Sequence, residues 1–198
     1  MLIKQIILGS IASNCYIVSK NNQCFIIDPG FESPLVIDYL KENNLTPEFI
    51  YVTHGHFDHI GGVNQLSSLY KIKVYAPKLD MIWFEQNDYN YTGKKVDVDV
   101  WVNDNDTIKF LDYQFKVILT PGHSAGSTAL YHHPHLFSGD TLFKQGIGRT
   151  DLPFGSFQQL QLSIKQLYQL PDDTIVYPGH GPTTTIEFEK KYNPYIRP

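Results

Sequence analysis

Apolar and polar positions along this chain follow two rhythms, and the changes between them mark the elements. Short runs rich in Ile, Val and aromatics predict strands over Leu2–Leu8, Cys15–Ser19 and Gln23–Ile27, with Asn21-Asn22 turning between the last two. Asp28-Pro29-Gly30 ends that meander. Ser33 suits an N-cap and Pro34 a first helical position, so Pro34–Glu42 is predicted as a helix with Leu35, Val36, Tyr39 and Leu40 on one face. A strand over Glu48–Val52 follows, then a helix over Gly61–Tyr70 with Val63, Leu66, Leu69 and Tyr70 inward, a strand over Ile72–Tyr75 and a short helix over Lys78–Gln86. Asn87–Asp106 keeps neither rhythm for long and reads as a loop near a functional site. Strands return at Thr107–Leu111, Gln114–Leu119, Thr128–His132 and His135–Phe137. Ser156 caps a helix carrying Phe157, Leu160, Ile164, Leu167 and Tyr168, and Thr174–Tyr177 is the last strand.

Composition narrows the class. With 198 residues, 42% of them hydrophobic, the chain suits one domain, 1–198, with a full core. A net charge of −4 from 16 basic and 20 acidic residues, without runs of either sign, gives no basic footprint and argues against nucleic acid as a partner. No apolar stretch approaches the roughly 20 residues of a membrane span, and the start lacks a charged n-region and small-residue cleavage site. A cytoplasmic home without membrane attachment is the expectation. Cys15 and Cys24 each sit inside an apolar run and read as reduced, buried hydrophobes without a catalytic role. Gly146-Ile-Gly148 lacks the third glycine of a dinucleotide fingerprint, and no phosphate-loop lysine is present.

The chemistry concentrates in Thr53-His54-Gly55-His56-Phe57-Asp58-His59, directly after the apolar run Phe49-Ile50-Tyr51-Val52. In an extended segment, residues two apart point the same way, so His54 and His56 can close on one ion from one side, leaving Asp58 and His59 for a second. Three further candidates sit in small-residue turns: His123 in Thr120-Pro-Gly-His-Ser, Asp140 in Ser138-Gly-Asp-Thr and His180 in Tyr177-Pro-Gly-His-Gly. The natural assignment puts His54, His56 and His123 on one ion, Asp58, His59 and His180 on the other, and Asp140 between them. Imidazole and carboxylate without thiolate favour zinc, with iron or manganese as alternatives, in an open catalytic site. His132-His133-Pro134-His135, between two strand runs, reads instead as an exposed hairpin turn.

These motifs, with Asn14-Cys-Tyr, Ile27-Asp-Pro-Gly, Pro121-Gly-His-Ser-Ala-Gly-Ser, Ser138-Gly-Asp-Thr-Leu-Phe and Gly146-Ile-Gly-Arg-Thr-Asp, make the sequence resemble the metallo-β-lactamase fold superfamily. Within it, the chain is similar to the short glyoxalase II-like (hydroxyacylglutathione hydrolase-like) hydrolases. The resemblance implies an α+β fold, the αββα sandwich of two facing β-sheets with helices on the outer faces, with metals in the cleft between the halves. The two strand-rich halves, each with helices attached, suit that architecture.

The expected chemistry is acyl transfer to water. Two divalent ions sharing one water lower its pKa toward neutrality and hold the resulting hydroxide as nucleophile. Asp58 ligates, orients that hydroxide and serves as the catalytic carboxylate. A thiolate leaves without a proton donor, whereas an amide or lactam nitrogen needs one, so a 2-hydroxyacyl thioester is the expected small-molecule substrate. A lactone or other ester, or persulfide oxidation at a single iron, are the alternatives on the same fold. Glyoxalase II grips glutathione with an added C-terminal helical domain. Only the short segment 181–198 follows His180 here, so weak discrimination between thiol carriers is expected. Arg149, in Gly148-Arg149-Thr150-Asp151, is a candidate contact for a substrate carboxylate or an ion-pair partner of Asp151.

Overall fold

A computed structural model describes residues 1–85 and 88–198. The chain divides into two compact units, Met1–Ala76 with Met81–Trp101, and Pro77–Asp80 with Val102–Pro198. Among the described residues each half builds a six-stranded sheet.

The first sheet runs β1 (Leu2–Leu8), β2 (Ser13–Lys20), β3 (Gln23–Ile27), then, after α1 (Pro34–Glu42), β4 (Thr46–Tyr51). Two short helices follow, α2 (Phe57–Ile60) and α3 (Val63–Tyr70), then β5 (Lys73–Pro77), α4 (Met81–Phe84) and β6 (Val100–Val102). The order is sequential, antiparallel from β1 to β3 and parallel from β3 to β5. Alternate residues of the strands, Cys15 and Ile17, Cys24 and Ile26, Ile50 and Val52, pack against Val36 and Leu40 of α1 and Val63 and Leu66 of α3. One face of the sheet thereby carries the helices. Both faces of β2 and β3 are buried, which is why Cys15–Val18 and Cys24–Ile27 are apolar without a polar alternate.

The second sheet collects β7 (Thr107–Phe110), β8 (Tyr113–Leu119), β9 (Thr128–His132) and β10 (His135–Gly139) as an antiparallel meander. A two-stranded ribbon, β11 (Leu142–Phe143) with β12 (Gly146–Ile147), leads to α5 (Phe157–Leu167). The chain then adds β13 (Ile175–Pro178) parallel to β10, β14 (Thr184–Thr185) and α6 (Ile186–Tyr192). Leu160, Ile164 and Leu167 of α5 pack with Ile118, Ala129, Leu136 and Val176 of the sheet and Ile186 of α6. The fold class is α+β.

Four expectations change. The helix predicted over Gly61–Tyr70 begins only at Val63, with α2 as a separate turn before it, because the Gly62 amide donates to Pro29 O at 2.7 Å and leaves the helical ladder. Lys78–Asp80 is a 3-10 turn and the α-helix begins only at Met81; Gln86 and Asn87, the end of that predicted helix and the start of the predicted loop, lie outside the described residues. The segment read as loop contributes strand β6. Helix α6 has no counterpart among the predicted elements; its polar Glu187–Lys191 is anchored by Glu189, whose buried carboxylate accepts from Thr184 Oγ1 (2.6 Å), Gln145 N (2.9 Å) and Asn193 Nδ2 (2.9 Å). The His132–His135 stretch forms the β9–β10 hairpin, with His132 Nδ1 2.9 Å from Gln114 O and His135 Nδ1 3.1 Å from Tyr177 Oη.

Candidate metal centre

In the first unit the donors follow directly from β4. Val52 N still bonds to Tyr75 O in sheet fashion, and the chain then leaves the ladder to present Thr53, His54 and His56 before α2 begins at Phe57. Asp28, at the end of the neighbouring β3, is 2% exposed and accepts from Thr53 N (2.7 Å) and Thr53 Oγ1 (2.6 Å). Its Oδ2 also lies 3.0 Å from His59 Nδ1. Because Thr53 Oγ1 spends its proton on Asp28, it accepts from His54 Nδ1, 3.1 Å away. Both imidazoles therefore carry the Nδ1 proton and turn Nε2 forward as a lone-pair donor, the usual arrangement of a metal-binding histidine. His54 sits 4.8 Å from His56 and 4.2 Å from His59 between ring centroids, and all three rings are buried. Asp58 Oδ2 is 3.3 Å from His59 Nε2.

The second unit supplies His123, Asp140 and His180. His123 lies on the loop between β8 and β9, and Gly122 presses that loop onto α5. A Cβ on Gly122, at φ +136, would stand 2.2 Å from Leu160 N, so only glycine permits this approach. Ser163 Oγ donates to Pro121 O at 2.7 Å and Ser156 N to Gly122 O at 2.7 Å, tying the loop to the same helix. On its far side the loop closes on Asp80, a fully buried carboxylate that accepts from Ser124 Oγ (2.7 Å) and Gly126 N (2.6 Å). His123 Nδ1 is held by Arg149 O at 2.8 Å, again turning Nε2 forward. Asp140 directly follows β10, and His180 follows β13, which pairs with β10. Arg149's guanidinium makes a bidentate pair with Asp151, 2.7 Å for each contact, on side chains more than half exposed. That pair holds the Asp151 carboxyl down at about 2 and raises the Arg149 pKa. Arg149 thus serves His123 through its carbonyl while its charge is engaged by a neighbour.

The donor geometry fits divalent ions. Asp140 Oδ2 lies 3.5 Å from His123 Nε2 and 3.5 Å from His180 Nε2. These separations, with the 3.3 Å of Asp58 and His59, exceed the ordinary N–H···O range of about 2.7–3.2 Å. Metal bonds of about 2.0–2.2 Å at tetrahedral angles place neighbouring donor atoms about 3.4 Å apart. One carboxylate oxygen thus stands at ligand-to-ligand distance from both His123 Nε2 and His180 Nε2.

The Metallo-beta-lactamase superfamily profile matches residues 8–180. The chain belongs to the metallo-β-lactamase superfamily. Its relatives include a hydroxyacylglutathione hydrolase, GloC of Haemophilus influenzae, 34% identical with 99% of this chain and 98% of that protein covered. Among solved structures, the BLEG-1 B3 metallo-beta-lactamase is 38% identical at a TM-score of 0.91, covering 98% of this chain and 99% of that one. TTHA1623, determined in a di-iron-bound form, is 34% identical at a TM-score of 0.87, with 98% and 100% covered. The chain is a metallo-hydrolase of this superfamily, and its His and Asp clusters support divalent metal binding. Among the described residues no helix is long and apolar enough to cross a membrane.

Residue type and spacing in the sequence do not single out Asp28, Thr53 or Asp80. A lone Asp closing an apolar strand, as in Ile26-Ile27-Asp28, is a usable signal for a buried carboxylate. Asp80, between Leu79 and Met81, carries none.

Proposed function

We propose that the chain is a dinuclear metal-dependent hydrolase of 2-hydroxyacyl thioesters, with His54, His56 and His123 serving one ion, Asp58, His59 and His180 the other, and Asp140 bridging. The observation that carries the two-ion reading is Asp140 Oδ2 at 3.5 Å from both His123 Nε2 and His180 Nε2. Zinc fits the nitrogen and oxygen donors, and iron is the alternative favoured by the di-iron form of TTHA1623. Bound there, the ions would supply Lewis acidity toward a carbonyl and bring a water's pKa near neutrality. Asp58 Oδ orients the attacking water and takes its proton, while Asp28, through Thr53 and His59, keeps the imidazoles facing it.

Neither cysteine competes for this role. Cys15 and Cys24 are buried; burial first, then the nearby Glu48, pushes the Cys24 thiol up to about 12, and burial with Asp28 raises Cys15 as well. A thioester suits a site whose proton-carrying groups are committed to ligation, because the thiolate departs without an acid. The GloC relationship supports the same substrate class. The deciding experiment compares S-lactoyl thioesters, an acyl lactone and a β-lactam on zinc-loaded and iron-loaded protein. Thioester turnover should exceed the others. A kcat/KM for the β-lactam above that for the thioester would overturn the assignment and favour the chemistry of the BLEG-1 relationship.

A further inference from the structure

In the second unit the His123 and Asp140 turns each carry a threonine. Thr120 follows β8 and opens the turn Thr120-Pro-Gly-His123, and Thr141 directly follows Asp140. Both threonines are fully buried, and their hydroxyl oxygens lie 2.9 Å apart. Their amides are bound within their own turns: Thr120 N donates to Ser127 O at 2.7 Å and Thr141 N to Ser138 O at 3.1 Å. The hydroxyl pair instead joins one turn to the other. Gly148 packs against the same two turns, since a Cβ there would stand 1.9 Å from the Asp140 carbonyl oxygen and 3.2 Å from His123 Cβ. Valine has nearly the shape of threonine and would bury without the cost of desolvating a hydroxyl, so packing alone gives no reason for a hydroxyl at either position.

We propose that Thr120 and Thr141 are positioning residues for the metal centre, their hydroxyl–hydroxyl hydrogen bond setting the spacing of His123 Nε2 and Asp140 Oδ2. The inference rests on the two-ion reading and deepens it, naming what keeps two of its donors 3.5 Å apart. The two oxygens can approach to 2.9 Å because one donates its proton to the other. A methyl in either place needs about 3.5 Å to its neighbour and would part the turns by about 0.6 Å. Functional constellations must be held to within about 0.5 Å, so a shift of this size reaches the range in which ligation suffers.

Stepwise chelator competition on zinc-loaded protein, with urea unfolding of the metal-free protein, separates a positioning role from a packing role. Thr120→Val and Thr141→Val keep the side-chain shape and lose the hydroxyl. Each should weaken the ion assigned to His123 about tenfold, the low end of the roughly 10–100-fold typical of residues that orient ligands. Thr120→Ser and Thr141→Ser keep the hydroxyl and lose a buried methyl, so they should lower the urea midpoint of the metal-free protein yet hold that ion within about twofold of wild type. Should a Val variant fail to fold, Thr120→Ala and Thr141→Ala carry the comparison with Ser, and a loss of about threefold or more is expected. Wild-type affinity in the folded Val or Ala variants, or affinity that falls in step with the urea midpoint across Ser and Val alike, would overturn the inference. His123→Ala, measured alongside, tests the reading beneath and should weaken the same ion more than any threonine variant. Wild-type affinity in His123→Ala would overturn the ligand assignment and the inference with it, whereas weakening confined to His123→Ala would overturn the inference alone.

Discussion

Replacing Asp28 separates orientation of the ligands from the ligands themselves. Its carboxylate receives three donors at 2.7, 2.6 and 3.0 Å while 2% exposed. In Asp28→Ala the Thr53 hydroxyl can turn elsewhere, but Thr53 N–H and His59 Nδ1–H are left buried and unmet. At about 1–3 kcal/mol for each, the loss is about 2–6 kcal/mol, a large share of a typical domain's stability of about 5–15 kcal/mol. Asp28→Asn is the finer instrument. Its amide oxygen can still receive Thr53 N–H, but its NH2 then faces both His59 Nδ1 and Thr53 Oγ1, which forces the His59 proton to Nε2, withdrawing the lone pair that ligation uses, and turns the Thr53 hydroxyl proton toward His54 Nδ1. The Asn variant should fold, unfold in urea within about 2 kcal/mol of wild type, and hold the ion on His59 about 10–100-fold more weakly in chelator competition. Wild-type metal affinity in a folded Asp28→Asn protein would refute the proposed proton arrangement.

Asp58→Asn should retain the fold and lose about 10²-fold or more in kcat, checked by steady-state kinetics at matched metal content; unchanged kcat would remove Asp58 from proton transfer. Asp80→Asn should cost about 1–3 kcal/mol in urea unfolding, and in chelator competition should weaken the ion assigned to His123 while sparing the other; equal weakening of both would mean the Asp80 contacts to Ser124 and Gly126 do not act through that loop. Raised thiol pKa values at Cys15 and Cys24 mean the folded chain keeps protons that the unfolded chain releases above pH ~8.5. Stability contributed by these thiols is therefore complete below that pH and falls as pH rises toward about 12, the Cys24 value, and a thiol reagent at pH 8 should label both cysteines in denaturant and neither in the native protein.

What the sequence reveals and what it conceals divide along a physical line. Elements specified locally are legible: Ser33 caps α1 through Leu35 N and Ser156 caps α5 through Gln159 N, both as their side chains announce. The candidate donors are legible because imidazoles and a carboxylate follow directly on an apolar strand and are joined by His and Asp in separate glycine turns, a set that the His132–His135 hairpin does not match. What escapes depends on partners distant in the chain. The break before α3 comes from a hydrogen bond to Pro29, and α6 looks like a polar tail until Glu189 finds Gln145, 44 residues away. Asp28 acts on Thr53 across 25 residues and Asp80 on Ser124 across 44; the end of an apolar strand marks Asp28 as a buried carboxylate without naming its partners, and nothing around Asp80 marks it at all.

The central claim is a two-ion centre bridged by Asp140, and elemental analysis of purified protein tests it most directly. Wild type and His132→Ala, whose ring lies in the β9–β10 hairpin, should each carry about two metal ions per chain, whereas Asp140→Ala should lose occupancy at both positions together. Full metal content in a folded Asp140→Ala protein, or a single ion per chain in fully loaded wild type, would contradict the account.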